Sequence, residues 1–205
     1  MPTKIEYQIP ERIYRYSTRH WLQRALELGD FQLVPASEYA KQEHVAARRD
    51  EEINREIQRP DGSVRVWSQD GTEIGPVRNF TIRASTGTDY FMLCFSSWYK
   101  DFLYEDFSGS DACLVVHNVP VFSDRIHTAV EQLLPGWVGF DGPVSYGLRS
   151  DFGAAFLKPD DYSGQKEWRF VWHPPHPVSK LQHKKVYIGN LKDICEVVER
   201  SHVRT

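Results

Sequence analysis

Residues 165–172 read QKEWRFVW, and this segment restricts the possible folds more than any other part of the chain. Side chains of a β-strand point alternately to opposite faces. The alternation gives two sets: Gln165, Glu167, Arg169 and Val171 on one face, and Lys166, Trp168, Phe170 and Trp172 on the other. The second set is dominated by aromatic rings, so we expect it to face a core. The segment therefore predicts a strand within a sheet.

The remaining patterns predict an α+β fold with a mixed or antiparallel sheet. Further strands are expected at 13–16, 31–34, 64–67, 80–84, 90–98, 111–118 and 186–188. Helices are expected between Thr18 and Gly29, along a polar surface segment at 37–58, over 123–134, and at the C-terminus from Asn190 through Val198. Because strands and helices do not alternate regularly, a doubly wound parallel sheet is disfavoured. We expect one domain over residues 1–205.

Composition excludes several classes of protein. The 40% hydrophobic and 26% charged residues are typical of a globular chain, and the net charge of -3 gives no global basic field for nucleic acid. Three scattered cysteines do not form a disulfide framework. The N-terminus lacks an apolar signal region, and no stretch is apolar enough for a membrane span, which predicts a cytoplasmic protein without membrane contact.

Familiar catalytic motifs are missing from the sequence. His173 and His176 lie in HPPHP, where the prolines prevent helical presentation of metal ligands, so we do not expect a metal site. The chain has neither a G-x-S-x-G nucleophile elbow nor a phosphate-binding loop. Any chemistry must therefore come from a less common set of residues.

Three short pieces are candidates for a site. Gln165 and Glu167, about 6.6 Å apart along a strand, would present an amide and a carboxylate together; an exposed polar face with a Glu167–Arg169 pair is the alternative. Ser96 and Ser97 end an apolar strand, and a hydroxyl there can orient a carboxylate. Alternation places these two serines on opposite faces, so only one of them points at a cleft.

The third piece is Tyr14-Arg15-Tyr16, in an early strand. An arginine between two aromatic residues can bind a phosphate or a planar group. The alternative is a cross-strand salt bridge. Trp98 and Tyr99, which follow the serines, add aromatic rings that can stack on a ligand.

Taken in order, Arg15, then Ser96 and Ser97, then Gln165 and Glu167 resemble the R-S-E class of ADP-ribosyltransferases in its Q-x-E form. The stretches FMLCFSSW and DDYSGQKEWRFVW also resemble a widespread group of uncharacterised bacterial proteins with CFS and E-W-R strands. The resemblance spans residues 13–172, and its motifs are short. One departure is Phe-Ser-Ser where many transferases have Ser-Thr-Ser.

The resemblance implies an ADP-ribosyltransferase-like fold and NAD as the substrate. Glu167 would be catalytic, with Gln165 orienting the acceptor. Residues expected to bind NAD are Arg15, Tyr14, Tyr16, Ser96, Ser97 and Trp98. One of the two serines would fix the Glu167 side chain.

The implied activity is mono-ADP-ribosylation of toxin or phage-defence type. The acceptor would be RNA, DNA or protein, with a nucleobase favoured over a protein side chain, and a neutralising antitoxin is a possible partner. Hydrolysis of NAD by the same site, or a binding module without catalysis, are the alternatives.

Overall fold

The architecture is that of a computed structural model, which describes residues 7–39, 53–59, 61–76, 78, 80–147 and 150–200. The strands in these ranges are β1 Ile13–Ser17, β2 Asp30–Pro35, β3 Asn54–Arg59, β4 Val66–Trp67, β5 Glu73–Ile74, β6 Phe80–Ser85, β7 Phe91–Ser96, β8 Ala112–Val116, β9 Val138–Pro143, β10 Ser145–Tyr146, β11 Leu157–Lys158, β12 Glu167–His173, β13 Lys184–Tyr187 and β14 Cys195–Glu199. The α-helices are α1 Arg19–Leu28, α2 Leu103–Asp106 and α3 Val119–Leu133.

The main sheet has eight strands, and its pairs are antiparallel. Strands β13, β2, β7, β1, β8 and β14 follow one another in that order, while β12 and then β9 extend from β7. The pair β3–β6 and the short pair β4–β5 form separate antiparallel ladders, and β10–β11 is parallel. The predicted α+β class with a mixed or antiparallel sheet is therefore confirmed.

A fork lies along the middle of β7. One edge of β7 pairs with β12 from Phe91 to Ser96. On the other edge, β2 pairs with Phe91 and Met92, whereas β1 pairs with Ser96. The two partner strands therefore diverge from each other beside β7, and this divergence opens space between them.

Helices α1 and α3 bury their apolar sides in one core cluster with the sheet. Leu22 and Leu26 of α1 and Phe122 and Ile126 of α3 lie in this cluster together with the aromatic face of β12. Helix α1 ends where predicted, because Gly29 adopts the left-handed conformation (φ 62°) that favours glycine.

Helix α3 begins four residues earlier than expected. The side chain of Asn118 accepts a hydrogen bond from the backbone of Val121 at 3.2 Å, which caps the helix. The helix expected over 123–134 is therefore present, with an earlier start, over Val119–Leu133. None of the described helices has the length and apolarity that crossing a membrane requires.

The predicted helix over 37–58 is wrong where the structure describes it. A short 3₁₀ turn occupies Ala36–Glu38, and β3 pairs with β6 over Asn54–Arg59. Residues 40–52 of that prediction lie outside the described residues. Helix-forming side chains such as Glu56 were outweighed by the cross-strand ladder, since tertiary pairing overrides intrinsic propensity.

The predicted C-terminal helix is also wrong. Asn190 does accept a hydrogen bond from the Lys192 backbone, but the turn it begins ends at Ile194. Residues Cys195–Glu199 form β14 and pair with β8. The β-branched Val197 and Val198 favour this extended conformation.

Candidate functional site

A cavity of about 150 Å³ lies at the fork beside β7. It collects candidate residues from three distant parts of the sequence: Tyr14, Arg15, Tyr16, Ser96, Gln165 and Glu167. Strands β1, β7 and β12 bring them together, because Tyr14 and Glu167 both pair with Ser96 from opposite sides. A volume of this order accepts one benzene-sized ring.

The Glu167 carboxylate is buried in an ionic cluster at this cavity. Its Oε1 accepts a hydrogen bond from Arg169 Nε at 2.7 Å, and its Oε2 accepts one from Lys158 Nζ at 2.8 Å. All three side chains are buried, with at most 6% of any of them exposed. The Glu167–Arg169 pair considered as the alternative from the sequence therefore exists, but it is buried and not on an exposed polar face.

Burial by itself raises the pKa of Glu167, but Arg169 and Lys158 outweigh this effect, and the pKa lies well below its usual range. The group is accordingly a carboxylate at neutral pH. It can accept further hydrogen bonds through its remaining lone pairs. It cannot supply a proton as a general acid there.

Gln165 lies at the end of a 3₁₀ turn, Asp160–Gln165, and not in the strand. Lys166 has a positive φ of 44°, which breaks the expected alternation, and β12 begins at Glu167. The Gln165 side chain still reaches the cavity, where its Oε1 accepts a hydrogen bond from Lys158 Nζ at 2.9 Å. Lys158 thus joins the amide and the carboxylate.

Arg15 lies within the fork. Its Nη1 donates to the backbone oxygen of Cys94 at 2.7 Å, and its guanidinium lies 5.7 Å from the centre of the Phe95 ring. This oxygen belongs to the part of β7 from which the neighbouring strands diverge. Arg15 therefore links β1 to the backbone of β7 at the fork and lines the cavity. The sequence did not predict this hydrogen bond to a backbone oxygen of β7.

The two serines have different positions. Ser96 is buried and lines the cavity, with its Oγ 2.8 Å from the backbone oxygens of both Trp98 and Gln165. Ser97 is only partly buried, and its Oγ donates to the Lys166 oxygen at 2.9 Å. Both hydroxyls therefore bind backbone atoms, and the Glu167 side chain is held by Lys158 and Arg169 instead.

Trp98 follows the two serines and is not among the residues that line the cavity. Its Nε1 donates to the Gly164 oxygen at 3.0 Å, which attaches the turn before β12 to the segment after β7. Among the predicted aromatic residues, Tyr14 and Tyr16 are the two that line the cavity. Tyr99 packs edge-on against Tyr14.

Sequence reasoning missed seven of the thirteen lining residues, and those of the seven with an ionisable side chain are Tyr39, Cys94 and Lys158. Burial, with a further contribution from the Glu167 carboxylate, raises the pKa of Cys94, so its sulfur is a thiol and a poor nucleophile. Lys158 belongs to no recognisable motif, whereas Cys94 is the first residue of the CFS strand motif. Among the described residues, no group of three His, Cys, Asp or Glu side chains is arranged for a metal ion.

Comparisons with protein-family models, with curated proteins and with solved structures give no match. The chemistry must therefore be argued from the cavity. An ionised carboxylate, an amide and phenol rings at a ring-sized cavity can bind a planar polar group and stabilise positive charge that develops beside it. A reaction through a cysteine thiolate is disfavoured there.

Proposed function

We propose that this protein cleaves NAD between nicotinamide and ribose and transfers ADP-ribose to a macromolecular acceptor. The observation that supports this most strongly is the convergence of Arg15, Ser96, Gln165 and Glu167 on one cavity. Along the chain these residues have the order of the R-S-E pattern in its Q-x-E form. Their meeting at a single fork is what an ADP-ribosyltransferase-like site would require.

The cavity volume suits one end of NAD. A nicotinamide ring is of the size that about 150 Å³ admits, so the remainder of the dinucleotide would extend outside the cavity. Tyr14 and Tyr16 supply phenol rings for stacking, and stacking of this kind contributes about 1 kcal/mol beyond area burial. The guanidinium of Arg15 lines the cavity and could bind a phosphate or ribose group of NAD.

Glu167 would stabilise the transition state electrostatically. The bond between C1′ of ribose and the nicotinamide nitrogen breaks, nicotinamide leaves with the electron pair, and positive charge develops on the sugar. A nucleophile of the acceptor then forms its bond to C1′ and loses a proton. Gln165 would orient that acceptor. A nucleobase is favoured over a protein side chain, and a neutralising antitoxin would accompany a toxin or phage-defence role.

A second candidate function is ligand binding without catalysis. Both oxygens of Glu167 already accept charge-assisted hydrogen bonds from Lys158 and Arg169. Two cations beside the carboxylate reduce its ability to stabilise a sugar cation. A binding module would keep this cluster for ligand specificity alone.

Labelled NAD incubated with cell extract separates these functions. The extract is divided into nuclease-treated and protease-treated halves, and the enzyme is either the wild type or Glu167→Gln. We expect label in a macromolecule with the wild type and at least about a hundredfold less with Glu167→Gln, the size typical of losing one transition-state interaction. The exposed Glu105→Gln is the matched control.

The outcomes assign the function. Loss of label in one treated half identifies the acceptor class. Free ADP-ribose formed at the same rate without extract would indicate a hydrolase. Binding of NAD without any consumption would favour the binding module, and full transfer by a folded Glu167→Gln variant would refute the catalytic role of this residue.

A further inference from the structure

A surface beside β13 combines basic side chains with exposed aromatic rings. Residues 168–192 include four lysines but no aspartate or glutamate. Strand β13 lies within this segment at one end of the main sheet, and its outer side has no partner strand among the described residues. Next to it, Trp21 of α1 is 55% exposed and Tyr187 of β13 is 56% exposed. Cations and exposed rings are the two components of surfaces that bind single-stranded nucleic acid.

A cluster of two cations and one carboxylate lies beside both rings. Asp30 Oδ2 accepts hydrogen bonds from Arg24 Nε at 3.0 Å and from Lys185 Nζ at 3.3 Å. Lys185 Nζ also lies 5.9 Å from the centre of the Trp21 ring. Tyr187 is directly opposite Asp30 in the ladder between β13 and β2. Because one carboxylate neutralises only one of the two cations, the cluster has a net positive charge next to the rings.

Lys184 adds a further cation, since it is exposed and has no acidic partner within the part of the chain that the structure describes. Lysines on an edge strand also hinder pairing with another sheet, which would account for Lys184 and Lys185 without a ligand. That role gives no reason for large exposed rings, because apolar side chains at an edge favour association. The combination is better explained by a partner that has both negative charge and flat rings.

One face of β2 connects this surface to the cavity. Phe31 and Leu33 lie in the core cluster with α1 and α3. Strand alternation therefore places Asp30, Gln32 and Val34 on the opposite face. Gln32 is exposed, and Val34 lines the cavity. Asp30 and Val34 are four residues apart, which is about 13 Å along a strand. A flexible chain bound beside β13 can therefore extend along β2 to the cavity.

We propose that a β13 surface binds single-stranded nucleic acid; it is formed by Trp21, Arg24, Lys184, Lys185 and Tyr187. Bases stack on the two aromatic rings, and the cations contact backbone phosphates. Unpaired bases fit this surface because their flat faces are accessible, whereas those of a duplex are covered by neighbouring base pairs. The inference rests on the proposed function in taking the bound strand as the acceptor that reaches the cavity.

Fluorescence anisotropy measures this binding with a labelled single-stranded DNA of about 12 nucleotides and mixed sequence, and with the RNA of the same sequence. We expect Trp21→Ala to weaken binding about tenfold, the effect of one lost base stack, and Tyr187→Ala to weaken it several-fold. Trp67→Ala is the matched control, because Trp67 is equally exposed (56%) but lies in the separate β4–β5 ladder. It should change Kd by less than about twofold.

The salt dependence of binding tests the phosphate contacts. Lys185→Met should reduce the slope of log Kd against log salt concentration by about 0.7, the value for one phosphate contact on a single strand. Asp30 keeps its hydrogen bonds to Arg24 in this variant, so we expect the variant to fold. Unfolding temperatures identify the variants that fold.

A duplex of the same sequence and a poly-glutamate peptide test other partners. We expect both to bind at least about tenfold more weakly than the single strand, because neither offers unpaired bases. Equal affinity for poly-glutamate, or tighter binding of the duplex, would overturn the inference. So would a wild type that binds neither single strand, or a folded Trp21→Ala variant that binds as tightly as Trp67→Ala.

Labelled NAD added to the same samples separates this inference from the proposed function. If label enters the oligonucleotide equally with the wild type and with Trp21→Ala, the inference fails and the proposed function stands. If binding depends on Trp21 but no label enters the oligonucleotide or any macromolecule of a cell extract, the β13 surface stands and the transferase does not. A wild type that binds neither single strand but labels protein in the extract would refute the inference alone.

Discussion

The two faces of β12 are both buried, yet they are built from opposite chemistry. One face contributes Trp168, Phe170 and Trp172 to the core beneath α1 and α3. The other places Glu167 against the cavity and Arg169 behind it in the strand, and Lys158 completes the ionic cluster around the Glu167 carboxylate. Burying charges is costly even when they are paired, and apolar residues commonly stabilise a fold as well or better. The charged face is therefore better explained by a ligand than by stability.

The aromatic face also has polar atoms, but their partners are structural. Trp168 Nε1 donates to Asp141 Oδ2 at 2.9 Å, and Trp172 Nε1 donates to His127 Nδ1 at 3.0 Å. His127 Nε2 in turn lies 3.0 Å from Asp141 Oδ1. This network satisfies the indole groups and connects α3 to β9 and β12. The polar atoms of the aromatic face thus satisfy one another, whereas Glu167 on the charged face lines the cavity.

The largest expected effect comes from the aromatic face. Phe170 is fully buried and packs edge-on against Phe95 and Phe122. We expect Phe170→Ala to lower the free energy of unfolding by about 3–5 kcal/mol, since it leaves a cavity in a packed core. Urea denaturation measures this change.

The same variant tests the separation of the two faces. NAD consumption per folded molecule should stay within about a factor of two of the wild type, a difference of less than 1 kcal/mol. A folded Phe170→Ala protein that has lost both binding and activity would show that the aromatic face also positions the site.

The charged face should respond to pH as well as to mutation. We expect Arg169→Met to cost about 3 kcal/mol at neutral pH, because it removes one cation from the buried Glu167. In the wild type the pKa of Glu167 is lowered by folding. Its contribution to stability is therefore present above the unfolded pKa of about 4.3 and is lost as the pH falls further.

Arg169→Met reduces this lowering of the Glu167 pKa. The stability difference between wild type and variant should accordingly be largest above about pH 5 and should shrink below about pH 4. Urea denaturation of the wild type and of Arg169→Met, at pH values on both sides of this range, measures the stability difference. The exposed Arg19→Met, which breaks a surface pair with Glu199, is the control and should have little effect. A difference independent of pH would contradict the ionic explanation.

The parts of the fold that follow from local patterns were predictable. Alternation identified β12, and the apolar stripe ended by Gly29 identified α1. The regions that failed, Asn54–Arg59 and Cys195–Glu199, owe their conformation to distant partners, β6 and β8. No local pattern reports such a partner.

The residues of the candidate site also fall into those that the sequence pattern indicated and those that only the tertiary structure reveals. Arg15, Ser96 and Glu167 lie on strands whose order along the chain suggested a grouping. Lys158 lies on a two-residue strand in a glycine- and proline-rich region, and nothing in its neighbourhood distinguishes it from an exposed lysine. Its spacing of nine residues from Glu167 matches no strand or helix period, so only the tertiary structure reveals their contact.

The smallest expected effect comes from Ser96 and Ser97 at the end of β7. Their hydroxyls bind the backbone oxygens of the two residues that precede β12. Ser96 Oγ is close to two backbone oxygens and accepts a hydrogen bond from Trp98 N at 3.2 Å. We expect Ser96→Ala to cost about 1 kcal/mol, because it leaves buried backbone groups without this partner. Ser97→Ala, at a partly exposed position, should cost less.

Ser96→Ala should also affect NAD binding more than Ser97→Ala does, because the Ser96 hydroxyl restrains the backbone oxygen of Gln165. In Ser96→Ala the turn that carries Gln165 is less constrained, so KM for NAD should rise a few-fold while kcat changes little, the pattern of lost ground-state binding. Steady-state kinetics on both serine variants measure this. An equal rise in KM for Ser97→Ala would mean that general loosening of the strand end, and not the position of Gln165, controls binding.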